Sequence, residues 1–120
     1  MQGEGSLNQA ILEANMEPGL DTIVFDSIVR GSIFTKGSLP TITESLIIFG
    51  PGANELAIDA EFEGRCLMTD DFYDDSLLVH GLTFQHGDSK SGGGAGLFLR
   101  GGKNYFYQCN ITGNSNSPTI

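Results

Sequence analysis

The sequence contains no tryptophan, two cysteines and only six lysine and arginine residues in 120. Two cysteines, Cys66 and Cys109, do not make a disulfide framework, and neither has the Cys or His neighbours that a zinc site requires. The formal net charge of −9 argues against a nucleic-acid partner, because phosphate binding needs clustered basic residues. No apolar run of about 18 residues is present, so we expect no membrane span.

Glycine is abundant instead, with 17 of 120 residues, which favours many turns between short strands over long helices. Short β-rich segments separated by Gly, Asn, Asp or Pro follow one another along most of the chain. They predict strands at residues 22–26, 32–35, 41–43, 46–49, 56–59, 66–69, 77–80, 82–85, 97–100, 105–108 and 110–112.

The first part of the chain predicts a helix from Ser6 to Asn15. Ser6 is suited to cap its N-terminus, and Gln9, three residues later, completes a capping-box pattern. Pro18 and Gly19 end the helix. Its apolar residues fall on one face, at the spacing of an amphipathic helix: Leu7, Ala10, Ile11 and Ala14.

Three segments repeat along the chain: SLIIFGPGANELAID from Ser45, SLLVHGLTFQHGD from Ser76 and KNYFYQCNITGNS from Lys103. Recurrence at a nearly constant period is typical of a solenoid, in which each coil completes its core against the next. Alternation then assigns an inward set of residues in stacked columns. This set is Leu46, Ile48, Leu77, Val79, Asn104 and Phe106 on one sheet, Leu56, Ile58, Leu82, Phe84, Cys109 and Ile111 on a second, and Leu67, Thr69, Leu97 and Leu99 on a third.

The stretch GSLNQAILEAN, with GLDTIVFD, GSIFT, LPTITESLIIFGPGANELAIDA and GRCLMTDD, resembles the cap and first coils of bacterial secreted β-helix proteins. Those proteins carry a CSLREAI-type capping helix and belong to the pectate-lyase-like superfamily. QCNITGNS is similar to their recurrent NCTITGN turn, whereas Gly5 stands where the family has its leading Cys. The resemblance implies an all-β, right-handed parallel β-helix of three to four coils.

The length of the chain predicts one domain over residues 1–120. The resemblance divides this domain into a capping region at 1–19 and coils at 20–120. It leaves open whether the chain is the N-terminal piece of a longer solenoid. It also implies an extracellular or cell-surface location, although the first residues show no signal peptide. Family members include adhesin-like passengers, polysaccharide-associated proteins and some lyases, so the fold alone assigns no activity.

One dense acidic cluster, Asp70, Asp71, Asp74 and Asp75, offers oxygen ligands that could hold Ca²⁺. It lacks the spaced acidic order of an ion-binding loop, and a solvated acidic turn is the alternative. No basic residue stands in a matching place to complete a lyase site. We therefore expect no cofactor, apart from this candidate calcium site.

The other polar residues assemble no catalytic site. Asp59 is predicted to face outward beside Gln85 and Thr112, which places one carboxylate in a ladder where a glycosidase needs two. His80 is predicted to lie outward beside Tyr107, as part of a surface ladder. The sequence therefore favours a protein that is not an enzyme.

The same alternation places apolar and aromatic residues on the outside of the first sheet, in a strip across three coils. Such a strip is typical of an interaction surface, and tyrosine suits both sugars and proteins. A loop covering the strip, or a one-residue error in register, is the alternative. The residues are Ile47, Phe49, Leu78, His80, Tyr105 and Tyr107.

The C-terminal coil forms a second candidate surface, at Cys109, Ile111 and Ile120. The sequence predicts no cap there, and an open coil end can pair with another chain. We therefore expect a non-catalytic extracellular module that acts in self-association or adhesion, with itself as the main partner. The alternatives are a fragment of a polysaccharide lyase or hydrolase, and a carbohydrate-binding module that uses Tyr105, Tyr107 and His80.

Overall fold

The computed structural model describes residues 6–26, 28–35, 38–70, 73–89 and 95–114. Its elements are one helix and ten short strands. They are α1 (Leu7–Met16), β1 (Asp21–Val24), β2 (Gly31–Phe34), β3 (Leu46–Phe49), β4 (Leu56–Asp59), β5 (Leu67–Met68), β6 (Ser76–His80), β7 (Thr83–Gln85), β8 (Leu97–Phe98), β9 (Lys103–Tyr107) and β10 (Asn110–Thr112).

The strands form three parallel sheets that wind into a β-solenoid of about three turns. Sheet 1 has the order β1-β3-β6-β9, sheet 2 the order β2-β4-β7-β10, and sheet 3 joins β5 to β8. The parallel solenoid with one N-terminal helix is thus confirmed. The strand expected at residues 41–43 is reduced to a single bridge between Ile42 and Thr69, which extends sheet 3 by one coil.

Helix α1 begins as the sequence predicted, because the Ser6 hydroxyl accepts a hydrogen bond from the Gln9 amide at 3.1 Å. Its buried residues, Leu7, Ile11 and Ala14, join the solenoid core. Asn15 anchors the C-terminal end of the helix to the first coil. Its side-chain Nδ2 donates to the Thr41 carbonyl at 2.8 Å, and its Oδ1 accepts a hydrogen bond from the Thr43 amide. No helix in the described residues has the length and apolarity of a membrane span.

The inward columns have the predicted register. Leu46 pairs with Leu77, Ile48 with Val79 and Ile58 with Phe84, and all six side chains are buried. Parallel pairing in register stacks like side chains from coil to coil, so each buries its apolar surface against the coils above and below. Sheet 3 adds Leu67, which is paired with Leu97.

Two residues that were predicted to face the core, Ile111 and Cys109, are more exposed than expected. Ile111 pairs with Phe84 but remains 52% exposed, because among the described residues only one neighbouring strand covers it. Cys109 was expected to be the buried cysteine, yet it is only partly buried, whereas Cys66 is fully buried. Cys66 occupies the interior before β5, where its thiol lies 3.2 Å from the Gln85 carbonyl oxygen.

Candidate interaction surface

The outer face of sheet 1 carries a band of apolar and aromatic side chains, here called the outer strip. Strand pairing aligns Ile47, Leu78 and Tyr105 in one column, and Phe49, His80 and Tyr107 in the next. Phe49 and Tyr107 are each 52% exposed, and Tyr105 is 45% exposed. The register is therefore the predicted one, and a slip that would exchange the two faces of the sheet is excluded.

Stacked rings organise the second column of the outer strip. The rings of Phe49 and His80 lie with centroids 4.7 Å apart and planes inclined by 23°. Each ring therefore covers one face of its neighbour, which reduces the ring surface that remains for a partner. Sugar binding uses exposed ring faces, whereas protein side chains pack equally well against ring edges.

No residue of the outer strip carries a carboxylate, an ammonium or a guanidinium group. The only polar atoms in it are the two phenolic hydroxyls and the His80 ring nitrogens. His80 Nδ1 is buried and has no hydrogen-bond partner. A surface patch depleted of charge has the composition of the centre of a protein–protein interface.

A different constellation, which sequence reasoning missed, lies where the chain leaves sheet 2. Asp59 was expected to face solvent but is buried, and its carboxylate accepts hydrogen bonds from the Glu61 amide at 2.8 Å and from the Gln85 side chain at 3.0 Å. His86 Nδ1 lies 2.9 Å from the same carboxylate. Because a carboxylate only accepts, Nδ1 carries the proton of this bond.

Residues around the Asp59 carboxylate have an unusual backbone geometry. Glu61, Phe62 and His86 all have positive φ, near +55° to +59°, which non-glycine residues rarely adopt. The Phe62 ring packs on the His86 ring with centroids 4.8 Å apart. The turn folds back over Asp59 and converts an outward strand position into a buried one.

Cys66 lies close to Asp59, in surroundings that disfavour its thiolate form. Burial raises the pKa of its thiol to about 11, with Asp59 adding to the effect. A cysteine reacts as the thiolate, and this thiol is fully buried as well as protonated. This thiol therefore lacks the exposure and the ionisation that a catalytic cysteine requires.

The Asp59 carboxylate makes the stability of the folded chain depend on pH. Burial alone raises its pKa, but hydrogen bonds from the Glu61 amide, Gln85 and His86 outweigh that effect and hold the pKa below the ordinary value of 3.8. A carboxyl whose pKa is lowered by folding stabilises the native state above its unfolded pKa. That contribution is lost as the pH falls through the folded pKa.

Asp59→Asn is expected to lower the free energy of unfolding by about 1–3 kcal/mol near neutral pH, because it disrupts a buried set of hydrogen bonds. The difference from wild type should shrink as the pH falls below 3.8 toward the lowered pKa of the folded state, where the wild-type carboxyl also becomes neutral. Urea titrations at about pH 7 and about pH 3 measure this. Glu55→Gln is the control, since Glu55 is an exposed partner of Arg30 at 3.0 Å; its removal should cost at most about 1 kcal/mol. A loss for Asp59→Asn that is the same at both pH values would contradict the assignment.

The acidic cluster forms no metal site within the described part of the chain, where no group of three or more His, Cys, Asp or Glu side chains could hold an ion. Asp71 lies outside the described residues, so calcium binding stays a prediction. Tyr73, between these acids, is buried and donates to the Glu44 carbonyl at 2.9 Å. Burial and the charges of Asp75 and Glu44 raise its pKa to about 12.

Two arginines pack on the Phe98 ring of sheet 3. The guanidinium carbons of Arg65 and Arg100 lie 4.1 Å and 4.7 Å from the centroid of the Phe98 ring. Arg65 also donates to Ser89 at 2.8 Å, and Arg100 to the Thr69 carbonyl at 3.3 Å. These contacts fix the sheet-3 surface and were not anticipated from the sequence, in which 35 positions separate the two arginines.

The last described coil presents the other predicted surface. The Cys109 thiol lies 3.7 Å from the Val79 carbonyl oxygen, and Ile111 is half exposed. Within the described residues, β9 pairs only with β6 and β10 only with β7. Ile120, the third residue assigned to this surface, lies outside the described residues.

Comparisons of the chain with protein-family models, with curated proteins and with solved structures find no match. The parallel solenoid is therefore established by strand pairing, and any function has to be argued from the surfaces described above.

Proposed function

We propose that this chain is a non-catalytic β-solenoid module for self-association or adhesion, and that the outer strip is its binding surface. The observation that carries this proposal is the alignment of six side chains without a carboxylate, ammonium or guanidinium group across three coils, with Phe49, Tyr105 and Tyr107 about half exposed. Aligned on a regular sheet, these side chains form one continuous surface. A contiguous apolar patch of this kind is typical of an interaction site.

A second copy of the chain is the partner that suits the outer strip best. A flat strip that carries no charge can pack against itself about a two-fold axis without placing like charges together. Stable dimers bury roughly 800 Å² on each partner, which is more than six side chains supply. The strip would form the centre of such an interface, and we expect a weak dimer with a dissociation constant in the micromolar range.

Phe49→Ser tests this proposal and should weaken self-association at least about tenfold, because it removes a central aromatic side chain from the interface. Phe34→Ser is a matched control. Phe34 is 48% exposed against 52% for Phe49, but it lies on β2 in sheet 2. Sedimentation equilibrium gives the dissociation constants. A wild-type chain that stays monomeric at millimolar concentration, or equal weakening by both variants, would contradict the proposal.

Carbohydrate binding is the second candidate, and the exposed Tyr105 and Tyr107 rings are what favours it. Tyr107→Ala should then reduce retention on immobilised polysaccharides, whereas Phe34→Ala should not. The stacking of Phe49 on His80 makes this the weaker of the two proposals, since it removes one face of each ring from contact with a sugar.

We also propose that the chain derives from a secreted or surface-exposed bacterial protein of the pectate-lyase-like superfamily. Its capping-helix sequence and its NITGN turn support this origin, as does a three-sheet coil. Among the described residues β9 and β10 each have one strand edge without a partner, and these edges and the exposed Ile111 support an additional end-to-end contact between copies.

A further inference from the structure

A groove separates the capping helix from the first strand of sheet 1, and it adjoins the outer strip, since Thr22 pairs with Ile47 and Val24 with Phe49. Its volume is about 580 Å³. One wall is the side of α1 and the other is β1. The lining residues are Ala10, Glu13, Ala14, Met16 and Glu17 from the helix, and Asp21, Thr22, Ile23 and Val24 from the strand.

The strand wall of the groove has an unpaired edge. Among the described residues β1 pairs only with β3, and the Asp21 amide donates to the Ser45 carbonyl at 3.2 Å on that side. In a parallel ladder, alternate residues turn their peptide groups to opposite edges. The peptide groups of Thr22 and Val24 therefore point toward the groove, where an added strand could pair with them.

The charged residues that line the groove are all acidic. Glu13, Glu17 and Asp21 contribute carboxylates, and no lysine or arginine is among the lining residues. One carboxylate oxygen of Asp21, Oδ2, is buried without a hydrogen-bond partner. The remaining lining is mostly small or apolar, and the Met16 side chain is exposed over it.

We propose that this groove binds an extended peptide segment that carries a lysine or arginine, added as a further strand beside β1. Main-chain hydrogen bonds to Thr22 and Val24 would hold the segment, as in other cases of strand addition to a free sheet edge. Its basic side chain would lie next to Asp21 and offset the negative charge of Glu13, Glu17 and Asp21. An apolar side chain two positions later would pack beside Ile23, because alternate residues of a strand face the same way.

The dimensions of the groove favour a single strand over a complete coil of a second copy. Neighbouring strands in a sheet lie about 4.8 Å apart, whereas a helix with its side chains is about 10 Å thick. A second solenoid stacked on this end would therefore meet α1 before its strands came within bonding distance of β1. A lone extended segment reaches the edge of β1 without displacing the helix.

The probe is a capped peptide, Ser-Lys-Thr-Val-Thr-Gly, added to the ¹⁵N-labelled chain while its amide resonances are followed. The proposal predicts saturable shifts at Thr22 and Val24 and binding at least about tenfold weaker for the matched peptide with Glu in place of Lys. Shifts confined to the outer strip, or equal binding of the two peptides, would overturn it. Shifts at Thr22 and Val24 that appear with rising protein concentration but do not respond to added peptide would overturn it as well.

Two variants separate the contributions of charge and backbone. Asp21→Asn should weaken the Lys peptide about tenfold and leave the Glu peptide unchanged or slightly tighter. Val24→Pro removes an amide that points to the groove and spares the ladder to β3, so it should weaken both peptides. Glu55→Gln, a change of exposed charge at the start of the sheet-2 strand, should alter neither. An unchanged affinity in Asp21→Asn with the fold intact, as judged by its amide spectrum, would contradict the proposal.

Discussion

Phe84→Ala is expected to lower the free energy of unfolding by about 3–5 kcal/mol, the range for removing a buried phenylalanine from a well-packed core. Phe84 is the largest of the fully buried side chains. It pairs in register with Ile58 on one side and Ile111 on the other. Its ring also meets the edge of Phe106 at a centroid distance of 6.2 Å. An alanine would leave a cavity between three coils.

Chemical denaturation measures this loss, with Phe34→Ala as the control on the outer face of the same sheet. Phe34 is about half exposed, so its removal should cost no more than about 1 kcal/mol. Domains of this size are stable by about 5–15 kcal/mol, so Phe84→Ala should approach the limit of folding. Similar losses for the two variants would mean that Phe84 does not occupy the centre of the core.

Gly50→Ala is the second substitution with a large expected effect, about 3 kcal/mol, which is at the upper end for overpacking. A Cβ at Gly50 would lie 2.5 Å from the Gly81 carbonyl oxygen and 2.6 Å from Leu82 Cγ. The coils cannot separate to relieve the contact, because the Gly50 amide donates to the His80 carbonyl at 2.7 Å. The Gly52 amide donates in the same way to Gly81 at 2.8 Å.

Gly31→Ala is the control for backbone strain without a clash. Gly31 has φ +93°, and a Cβ there would meet nothing within 4 Å. We expect a cost of about 1 kcal/mol, which arises only from the left-handed backbone. The melting temperatures of the two variants compare the effects. A smaller loss for Gly50→Ala than for Gly31→Ala would show that the coils at Gly50 and Gly81 are not in close contact.

Much of the fold could be predicted from the sequence because two periodicities coincide. Alternation within each strand assigns side chains to one face, and the repeat of the segments from Ser45, Ser76 and Lys103 fixes which strands stack. Both apply to Ile48 and Val79, which are paired and buried as predicted. The same reasoning placed Phe49, His80 and Tyr107 in one outward column.

The corners of the coils could not be predicted in this way, because burial there depends on the path of the turn. Asp59 alternates outward along β4, yet the positive-φ turn at Glu61 and Phe62 covers it. Cys66 follows that turn and is buried, although alternation with the inward residues Leu67 and Thr69 would turn it outward. The register of Asp59 beside Gln85 was visible in the sequence, and it was the only signal that His86 would lie near the carboxylate.

The assignment of the outer strip as the associating surface is tested most directly by the concentration dependence of amide resonances. Spectra of the ¹⁵N-labelled chain at about 20 μM and about 1 mM should differ at Phe49, Leu78 and Tyr107, because a weak micromolar dimer forms between these concentrations. Resonances of β2 and β4, on sheet 2, should stay unchanged. Shifts confined to β10, or no shift anywhere, would contradict the assignment.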